Sequence, residues 1–243
     1  MDWHARYLQQ ARWTEQLRAY LFNKAGLQAG QRVLDLGCGT GALLSDFPFS
    51  EGLYGLDLDF SAISQAAGYA PAAALTCGDG SRLPFADSTF DLVFCHFVLL
   101  WVDDPRLVVA EMRRVTRPGG AVLAMAEPDY GGRIDYPAGL VRLGQWQIES
   151  LRRQGADPNM GRQLASVFSN TGLKEVESGV IGGEWRSNSV ADGQELEWLV
   201  LSDDLKERVS LSEIQNMKTL DRQARESGER VLFVPTFYAW GLV

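Results

Sequence analysis

Short apolar runs in the first third of the chain carry an acidic residue near their carboxyl ends, and the first run leads into a glycine-spaced turn. Asp35 lies in the run 33–36, two positions before Gly37, and Gly39 and Gly41 follow at alternate positions. Glycines at this spacing let the main chain turn sharply and approach a ligand that any Cβ atom would obstruct. A carboxylate at this strand end repels a pyrophosphate but attracts a ligand that carries an ammonium group. The loop therefore predicts a nucleotide-type cofactor with a positive charge, and S-adenosylmethionine has both an ammonium and a sulfonium group.

The same spacing also fits the dinucleotide-binding fingerprint, so two classes of cofactor compete for this loop. Gly37, Gly39 and Ala42 satisfy the glycine/alanine form of that fingerprint, which predicts NAD. The next apolar run, 53–56, leads into Asp57. A carboxylate at this strand end accepts hydrogen bonds from ribose hydroxyls, which both cofactors carry. Asp57 therefore supports a nucleoside ligand and leaves the choice between the two cofactors open.

The segments beyond this second strand favour the first cofactor. Asp79 comes just after a third candidate strand, where a carboxylate can accept the adenine amino hydrogens. A fourth candidate strand over 90–95 leads into His96, and a turn at 117–120 precedes a fifth strand. In their order and spacing these segments resemble the class I, Rossmann-like S-adenosylmethionine-dependent methyltransferases of the type 11 group. The matching segments are GCGTG at 37–41, GLDLD at 55–59, GDGSRLPFADSTFD at 78–91 and RPGG at 117–120.

This resemblance is strong from about residue 30 to residue 127, and it implies both a fold and a cofactor. The implied fold is α/β, with a doubly wound, mostly parallel seven-stranded sheet whose seventh strand runs antiparallel beside the fifth. An N-terminal helix and a helical insertion before the last strand complete it. The implied cofactor is S-adenosyl-L-methionine, and the implied activity is methyl transfer.

Carried onto this chain, the resemblance assigns a role to each strand-end acid. The glycine loop, with Cys38 inside it, frames the cofactor, and Asp57 holds the ribose. Asp79 lies at the adenine, which Leu58 and Gly80 flank. The alternative for Asp57 and Asp79 is that both are solvated acids at strand ends.

His96 follows the fourth candidate strand and has two competing interpretations. Its imidazole could act as a general base, because the carboxyl ends of strands face the crevice where open α/β sheets bind ligands. In the favoured interpretation only its main chain matters, through the contact with the methionine amino group that the resemblance implies. Methyl transfer from a sulfonium to an already nucleophilic atom needs no proton acceptor. No catalytic side chain is therefore assigned, and His96 stays as the weak candidate.

Composition predicts a cytoplasmic enzyme that acts on a small molecule. The chain has 243 residues and a formal net charge of -8, which disfavours binding to nucleic acid phosphates. The fourth strand leads into Cys-His-Phe rather than the Asn/Asp-Pro-Pro-Tyr of methyltransferases that modify base amino groups. The apolar stretch 92–102 is too short to span a bilayer, and the first residues do not resemble a signal peptide. Cys38, Cys77 and Cys95 form no close pair, which argues against a structural metal site.

The alternation of apolar runs and helical patterns predicts one methyltransferase domain over 1–243. Its expected parts are a helical cap over 1–30, a cofactor-binding core over 31–127 and a substrate-side half over 128–243. The candidate strands are 32–36, 53–57, 73–77, 90–95, 120–126, 174–181 and 231–243.

Helix signals add candidates near the cofactor. Residues 1–24 read as one amphipathic helix, and the resemblance implies that such a helix covers the cofactor. Tyr7 and Arg12 are the candidate donors to the methionine carboxylate. The segment 210–213 reads as a capping box that starts a later helix. Together, the cofactor-binding candidates are Tyr7, Arg12, Asp35, Gly37, Cys38, Gly39, Gly41, Asp57, Leu58, Asp79, Gly80 and His96.

Two segments outside the cofactor core are expected to select the acceptor. The segment 127–137 reads as a long polar and aromatic loop at the carboxyl edge of the sheet, where binding loops lie. Tyr130, Arg133 and Tyr136 are its candidate substrate contacts. The insertion 184–230 is longer than an ordinary connection and forms either a lid over the methyl donor or a helical pair. A helical pair would complete the core or make a homodimer contact.

The sequence therefore favours one function and leaves two alternatives. The favoured function is methyl transfer from S-adenosylmethionine to a small-molecule acceptor at oxygen, nitrogen, carbon or sulfur, without a nucleic acid or membrane partner. The alternative enzyme is an NAD-dependent oxidoreductase. The alternative without catalysis is a module that binds S-adenosylmethionine.

Overall fold

The computed structural model describes residues 2–182 and 194–243. Strands and helices alternate through most of these residues, as the apolar runs predict. The strands are β1 Val33–Leu36, β2 Leu53–Asp57, β3 Ala74–Cys77, β4 Phe90–Cys95, β5 Thr116–Pro128, β6 Ile134–Tyr136, β7 Lys174–Ile181, β8 Val231–Phe233 and β9 Thr236–Leu242. The helices are α1 Trp3–Trp13, α2 Glu15–Lys24, α3 Ala42–Ser45, α4 Phe60–Tyr69, α5 Pro105–Val115, α6 Val141–Arg153, α7 Leu164–Ser169, α8 Gln194–Leu205 and α9 Leu211–Glu226.

Within the described residues, seven strands form one sheet in the order β3-β2-β1-β4-β5-β9-β7. Neighbouring strands from β3 to β5 are parallel, and β9 is antiparallel to both β5 and β7. The chain first builds outward from β1 to β3 and then crosses back to β4. The strand order therefore reverses between β1 and β4, which is where open α/β sheets bind their ligands. The expected fold class is confirmed.

The sheet carries an apolar cluster on each face, because neighbouring residues of a strand point to opposite sides. In β1, Leu34 and Leu36 pack in one cluster with residues of α5 and α7. Val33 packs in the other cluster with residues of α2, α3 and α4. Helices on both faces explain why the parallel strands read as continuous apolar runs.

The N-terminal region, expected as one helix over 1–24, is two helices separated by Thr14. Thr14 has φ -112° and ψ 8°, and its N–H bonds to the carbonyl oxygen of Ala11. The threonine hydroxyl also donates to that oxygen, at 3.2 Å, and accepts from the Arg18 guanidinium at 3.1 Å. A hydroxyl that bonds to the preceding turn competes with the helical hydrogen-bond ladder. The single helix is therefore corrected to α1 and α2.

The final strand, expected over 231–243, is divided at Pro235 into β8 and β9. Proline has no N–H to donate to a strand ladder, so it interrupts the pairing. β8 pairs with β6 in a separate two-stranded sheet, and β9 enters the main sheet. The segment 127–137 is likewise more regular than the expected loop, because β5 continues to Pro128 and β6 follows a short 3-10 turn.

The insertion 184–230 contains α8 and α9, and its residues 184–193 lie outside the described residues. The expected capping box is present at the start of α9. Ser210 Oγ accepts from the Glu213 N–H at 3.3 Å, and the Glu213 carboxylate accepts from the Ser210 N–H at 3.3 Å. Among residues 2–182 and 194–243, no helix is long and apolar enough to cross a membrane.

Candidate active site

The glycine loop joins β1 to α3, and its three glycines adopt the left-handed conformation. The φ angles are +73° at Gly37, +52° at Gly39 and +78° at Gly41. A Cβ atom on Gly37 would collide with the Val98 side chain, and one on Gly39 would lie 2.9 Å from the Tyr7 ring. The first two glycines therefore keep open a space between the loop, the end of β4 and helix α1.

The acids of β1 and β2 lie beside this loop with different partners. Asp57 Oδ2 accepts from the Gly39 N–H at 2.7 Å, and its Oδ1 accepts from the Asp59 N–H at 2.9 Å. Asp35 is 2% exposed, and the described part of the chain supplies no hydrogen bond to its carboxylate. Burial, and secondarily the charge of Asp57, raise the pKa of Asp35 well above its usual range, whereas Arg18 lowers it. A ligand ammonium group beside Asp35 would stabilise its charged form.

A cavity of about 470 Å³ lies at the carboxyl ends of β1 to β4, beside α1, and we call it the loop cavity. Its volume falls in the range of small-molecule sites. The acids that end successive strands face this one space although they are distant in sequence. The sequence-derived cofactor candidates that line it are Tyr7, Asp35, Gly37, Cys38, Gly39, Asp57, Leu58, Asp79, Gly80 and His96.

Two cofactor candidates, Arg12 and Gly41, are not among the residues that line the loop cavity. Arg12 is exposed, because it lies five positions after Tyr7 and so on nearly the opposite side of α1. Arg6 lines the cavity instead. Gly41 faces α4, where a Cβ atom would lie 3.3 Å from that of Ala66. Helical spacing would have indicated Arg6, since one face of α1 presents Trp3, Arg6, Tyr7 and Gln10 to the cavity.

His96 lines the loop cavity, and its imidazole is held by the N-terminal region. Its Nε2 lies 2.8 Å from Thr14 Oγ1, within hydrogen-bonding distance. Burial and the nearby Arg18 lower the pKa of His96 to about 3, which makes the ring a weak proton acceptor at neutral pH. The chain then turns sharply, with φ +58° at Phe97, whose N–H bonds to the Ala126 carbonyl at 3.0 Å. This geometry favours the interpretation that assigns the contact to the main chain.

A second cavity, of about 520 Å³, adjoins the first beside α8 and α9, and we call it the helical cavity. Tyr130 and Arg133, two of the three substrate candidates, line it. Tyr136 is 55% exposed and is not among the residues that line either cavity. The residues that line both cavities are Arg6, Phe97, Tyr130, Gln147 and Val200.

Comparison with known proteins identifies the family of this chain. A family model described as a methyltransferase domain matches residues 34–124. A demethylmenaquinone methyltransferase from Renibacterium salmoninarum is 39% identical over 189 residues, which cover 69% of this chain and 79% of that protein. The chain belongs to the class I S-adenosylmethionine-dependent methyltransferases, type 11 group. Its cofactor is therefore S-adenosylmethionine, which decides against the NAD-dependent alternative.

Other similarities cover less of the known protein or concern the fold alone. A second demethylmenaquinone methyltransferase, from Mycolicibacterium paratuberculosis, is 43% identical over 98 residues, or 40% of this chain and 42% of that protein. The methyltransferase thus spans less than half of this second relative. Phosphoethanolamine N-methyltransferase 2 of Haemonchus contortus, solved in complex with S-adenosyl-L-methionine, gives a TM-score of 0.58 at 16% identity. That match covers 94% of this chain and 52% of the other, and it shows a shared fold.

A buried glutamate that no sequence motif singles out fixes the turn after β4 in this methyltransferase. Glu127 Oε1 accepts from the N–H groups of Val98 and Leu99 at 3.0 and 2.8 Å. Its Oε2 accepts from the Leu100 N–H at 3.0 Å. Burial raises the pKa of Glu127 to about 7, although the three N–H groups favour the carboxylate. Glu127 thereby positions a segment whose first residue, Val98, lines the loop cavity.

Glu127→Gln is expected to remove a pH dependence of stability between about pH 5 and about pH 8. Because the pKa is raised to about 7 in the folded protein, the folded state keeps a proton that the unfolded state has released. This contribution to the free energy of unfolding is fully present below the ordinary glutamate pKa and is lost as pH rises through about 7. Urea unfolding of both proteins at the two pH values measures it. Parallel pH dependences would contradict the raised pKa.

A buried ion-pair network joins the helical insertion of the methyltransferase to β6 and β8. Asp135 Oδ2 lies 2.5 Å from Arg133 Nε, and Asp135 Oδ1 lies 2.8 Å from Arg230 Nη2. Arg230 Nε lies 2.6 Å from Asp221 Oδ1 in α9. Asp221 Oδ2 also accepts from Trp198 Nε1 of α8 at 3.1 Å. The network therefore builds one wall of the helical cavity and makes Trp198 a core residue.

Proposed function

We propose that this methyltransferase transfers the methyl group of S-adenosylmethionine to a small-molecule acceptor, with the cofactor in the loop cavity and the acceptor in the helical cavity. The observation that carries this proposal is that the two cavities share lining residues, among them Phe97 and Tyr130. Ligands held in the two cavities would meet at these side chains. Holding two reactants in contact and in line supplies a large part of the rate acceleration of a group transfer.

The side chains of the loop cavity fit S-adenosylmethionine in charge and in shape. Asp35 would bind the methionine ammonium group, because the described chain gives this buried carboxylate no donor. Asp57 would accept from the ribose hydroxyls, and Asp79 from the adenine amino group. Tyr7 at the methionine carboxylate and Leu58 and Gly80 at the adenine complete the proposed contacts. Once bound, the cofactor supplies an electrophilic methyl group on a sulfonium.

Beside its charged residues, the helical cavity is lined by many apolar and aromatic side chains, which fit the ring of an aromatic acceptor. The two relatives described above are named for demethylmenaquinone. We therefore place quinol-type aromatic compounds first among the acceptors to be tested. The apolar and aromatic side chains of this lining include Trp13, Phe97, Tyr130, Leu143, Trp198, Val200, Leu201 and Phe233.

The test is whether purified protein converts S-adenosylmethionine to S-adenosylhomocysteine when small acceptors are added. The panel contains demethylmenaquinol, simple phenols, amines and thiols, and mass spectrometry identifies the methylated product. We expect turnover with at least one acceptor. Tight binding of S-adenosylmethionine in calorimetry, without S-adenosylhomocysteine formation across the panel, would instead support a binding module without catalysis.

Tyr130→Ala is expected to lower turnover of that acceptor by about tenfold or more, because Tyr130 lies where the two ligands would meet. The matched control is Tyr136→Ala, since Tyr136 is 55% exposed and lies outside both cavities. Initial rates, acceptor KM and the affinity for S-adenosylhomocysteine are measured for both variants. Equal turnover in the two variants would place the acceptor outside the helical cavity.

A further inference from the structure

Two oppositely charged side chains from separate elements face the helical cavity. Arg6 of α1 lines both cavities, and Glu197 of α8 lines the helical cavity. Of all the charged groups that shift the pKa of Arg6, Glu197 has the largest effect. Arg6 likewise has the largest effect of the charged groups that shift the pKa of Glu197. A cation and a carboxylate placed in this way suit a ligand group that gives up a proton and becomes negative.

Arg6 is partly buried, but its guanidinium has no carboxylate of the described residues within ion-pairing distance. Its Nη1 donates to Gln9 Oε1 at 2.7 Å, and its plane lies over the Trp13 ring at 4.9 Å. Burial lowers the pKa of Arg6, and the charge of Glu197 opposes this shift. A guanidinium has five N–H donors, and most of those of Arg6 remain for a ligand. A partly buried charge of this kind is stabilised when an anion binds to it.

Among the described residues, Glu197 and Asp221 are the carboxylates that line the helical cavity, and Glu197 has fewer close partners. Its nearest cation is Arg225, whose Nη2 is 4.0 Å from Glu197 Oε2. The Asp221 carboxylate, by contrast, accepts from Trp198 at 3.1 Å and pairs with Arg225 at 3.0 Å and Arg230 at 2.6 Å. Burial raises the pKa of Glu197, and the charges of Arg6 and Arg225 oppose the shift. The further charged groups that act on Glu197 are Asp221, which raises this pKa, and Arg133, which lowers it.

Two titratable groups at the ends of β4 and β5, His96 and Glu127, are poorly suited to accept a proton from the acceptor. His96 is bonded to Thr14 and has its pKa lowered to about 3. The Glu127 carboxylate is occupied by three main-chain N–H groups. Glu197 is therefore the side chain best placed to take up a proton within the helical cavity.

We propose that Glu197 removes the proton from an acidic hydroxyl of the acceptor, phenolic or enolic, and that Arg6 binds the resulting oxyanion. This inference rests on the proposed function, and it names the chemical class of the acceptor. The hydroxyl O–H bond breaks, the proton bonds to the Glu197 carboxylate, and the electron pair stays on the acceptor oxygen. That pair then bonds to the methyl carbon as the carbon–sulfur bond breaks with its electrons on sulfur. Glu197 gives its proton to water after the product leaves.

The charge of the cavity supports an acceptor that becomes anionic over one that is cationic. A protonated amine would meet repulsion from the arginines, whereas a phenolate gains attraction from them. Arginines outnumber carboxylates among the described lining residues, with Arg6, Arg133, Arg225 and Arg230 against Glu197 and Asp221. An excess of one arginine remains when Asp135, which pairs with Arg133 and Arg230, is also counted.

The first test uses 4-nitrophenol as a probe, because its phenolate form absorbs visible light. The protein is saturated with S-adenosylhomocysteine, and the pH is one at which the free probe is protonated. We expect wild-type protein to raise the phenolate absorbance, and Arg6→Met to weaken phenolate binding by about tenfold or more. Calorimetry in two buffers of different protonation enthalpy counts the protons released. Wild-type protein should release few protons to the buffer, because Glu197 takes up the proton of the probe. Glu197→Gln should release about one proton to the buffer for each phenolate bound.

The control is Glu195→Gln, which changes an acid of the same helix that is 79% exposed and paired with Lys218. This variant should match wild-type protein in both measurements. An unchanged proton count in Glu197→Gln, or no phenolate signal with wild-type protein, would overturn the inference. So would an Arg6→Met protein that binds the phenolate normally but loses affinity for S-adenosylhomocysteine, because Arg6 would then hold the methionine carboxylate.

Turnover separates failure of this inference from failure of the proposed function. With an acceptor from the panel, Glu197→Gln should lower kcat by about a hundredfold or more, and the loss should shrink as pH rises and the acceptor ionises by itself. Normal turnover in Glu197→Gln would refute only the inference. If no acceptor is methylated by wild-type protein, the proposed function fails, whatever the probe does.

Discussion

Asp135→Asn is expected to lower the free energy of unfolding by about 3–5 kcal/mol, because it leaves the buried Arg133 guanidinium without a carboxylate and Arg230 with Asp221 alone. The Asp135 side chain is 3% exposed, and those of Arg133 and Arg230 are 6% and 4% exposed. Asparagine keeps the shape of aspartate, so the loss reports the charge rather than a cavity. Urea unfolding of wild-type and variant protein measures it.

The matched control for Asp135→Asn is Asp203→Asn in helix α8. Asp203 pairs with Lys206 at 2.5 Å, but its side chain is 58% exposed. Exposed pairs of this kind contribute about 0–1 kcal/mol. If the two variants lost the same stability, the network between the insertion and β6 would not stabilise the fold.

Asp57→Ala is expected to weaken binding of S-adenosylmethionine and S-adenosylhomocysteine by about ten- to a hundredfold. Hydrogen bonds to a charged acceptor are worth about 1.5–3 kcal/mol, and the ribose hydroxyls would lose such an acceptor. The variant also leaves the Gly39 N–H without the carboxylate that accepts from it at 2.7 Å. Calorimetry with S-adenosylhomocysteine gives the affinity, and Asp103→Ala, at an exposed position, is the control. An affinity equal to that of the control would remove Asp57 from the cofactor site.

Local patterns were sufficient to predict the cofactor half of the fold. The apolar runs associated with Asp35, Asp57 and Asp79 became strands of the parallel sheet, and the glycine loop follows β1 as expected. The capping box at 210–213 was also predicted correctly, because its two partners are three residues apart. Errors arose where one residue interrupts a longer pattern. Thr14 divides the first helix through its own hydroxyl, and Pro235 divides the last strand because it lacks an N–H.

The site was harder to predict where its residues depend on partners distant in sequence. Arg12 was predicted as a cofactor contact but does not line the loop cavity, whereas helical spacing places Arg6, which does, on the face of Tyr7. Glu127 gave no comparable signal, because its role depends on main-chain N–H groups about thirty positions earlier. Glu197 likewise reaches the cavity only because α8 packs on α6, a contact that periodicity does not specify.

The position of β9 has a consequence for how the nascent chain folds on the ribosome. β9 lies between β5 and β7, although it is synthesised after both, and within the described ranges β7 pairs only with β9. The strands β1 to β5 can pair with one another as they emerge, which would assemble the glycine loop and its acids early. Until residues 236–242 have left the exit tunnel, one edge of β5 stays unpaired and open to other chains. Slow synthesis of β9, or termination before it, would therefore yield an aggregation-prone intermediate with a sheet of five strands instead of seven.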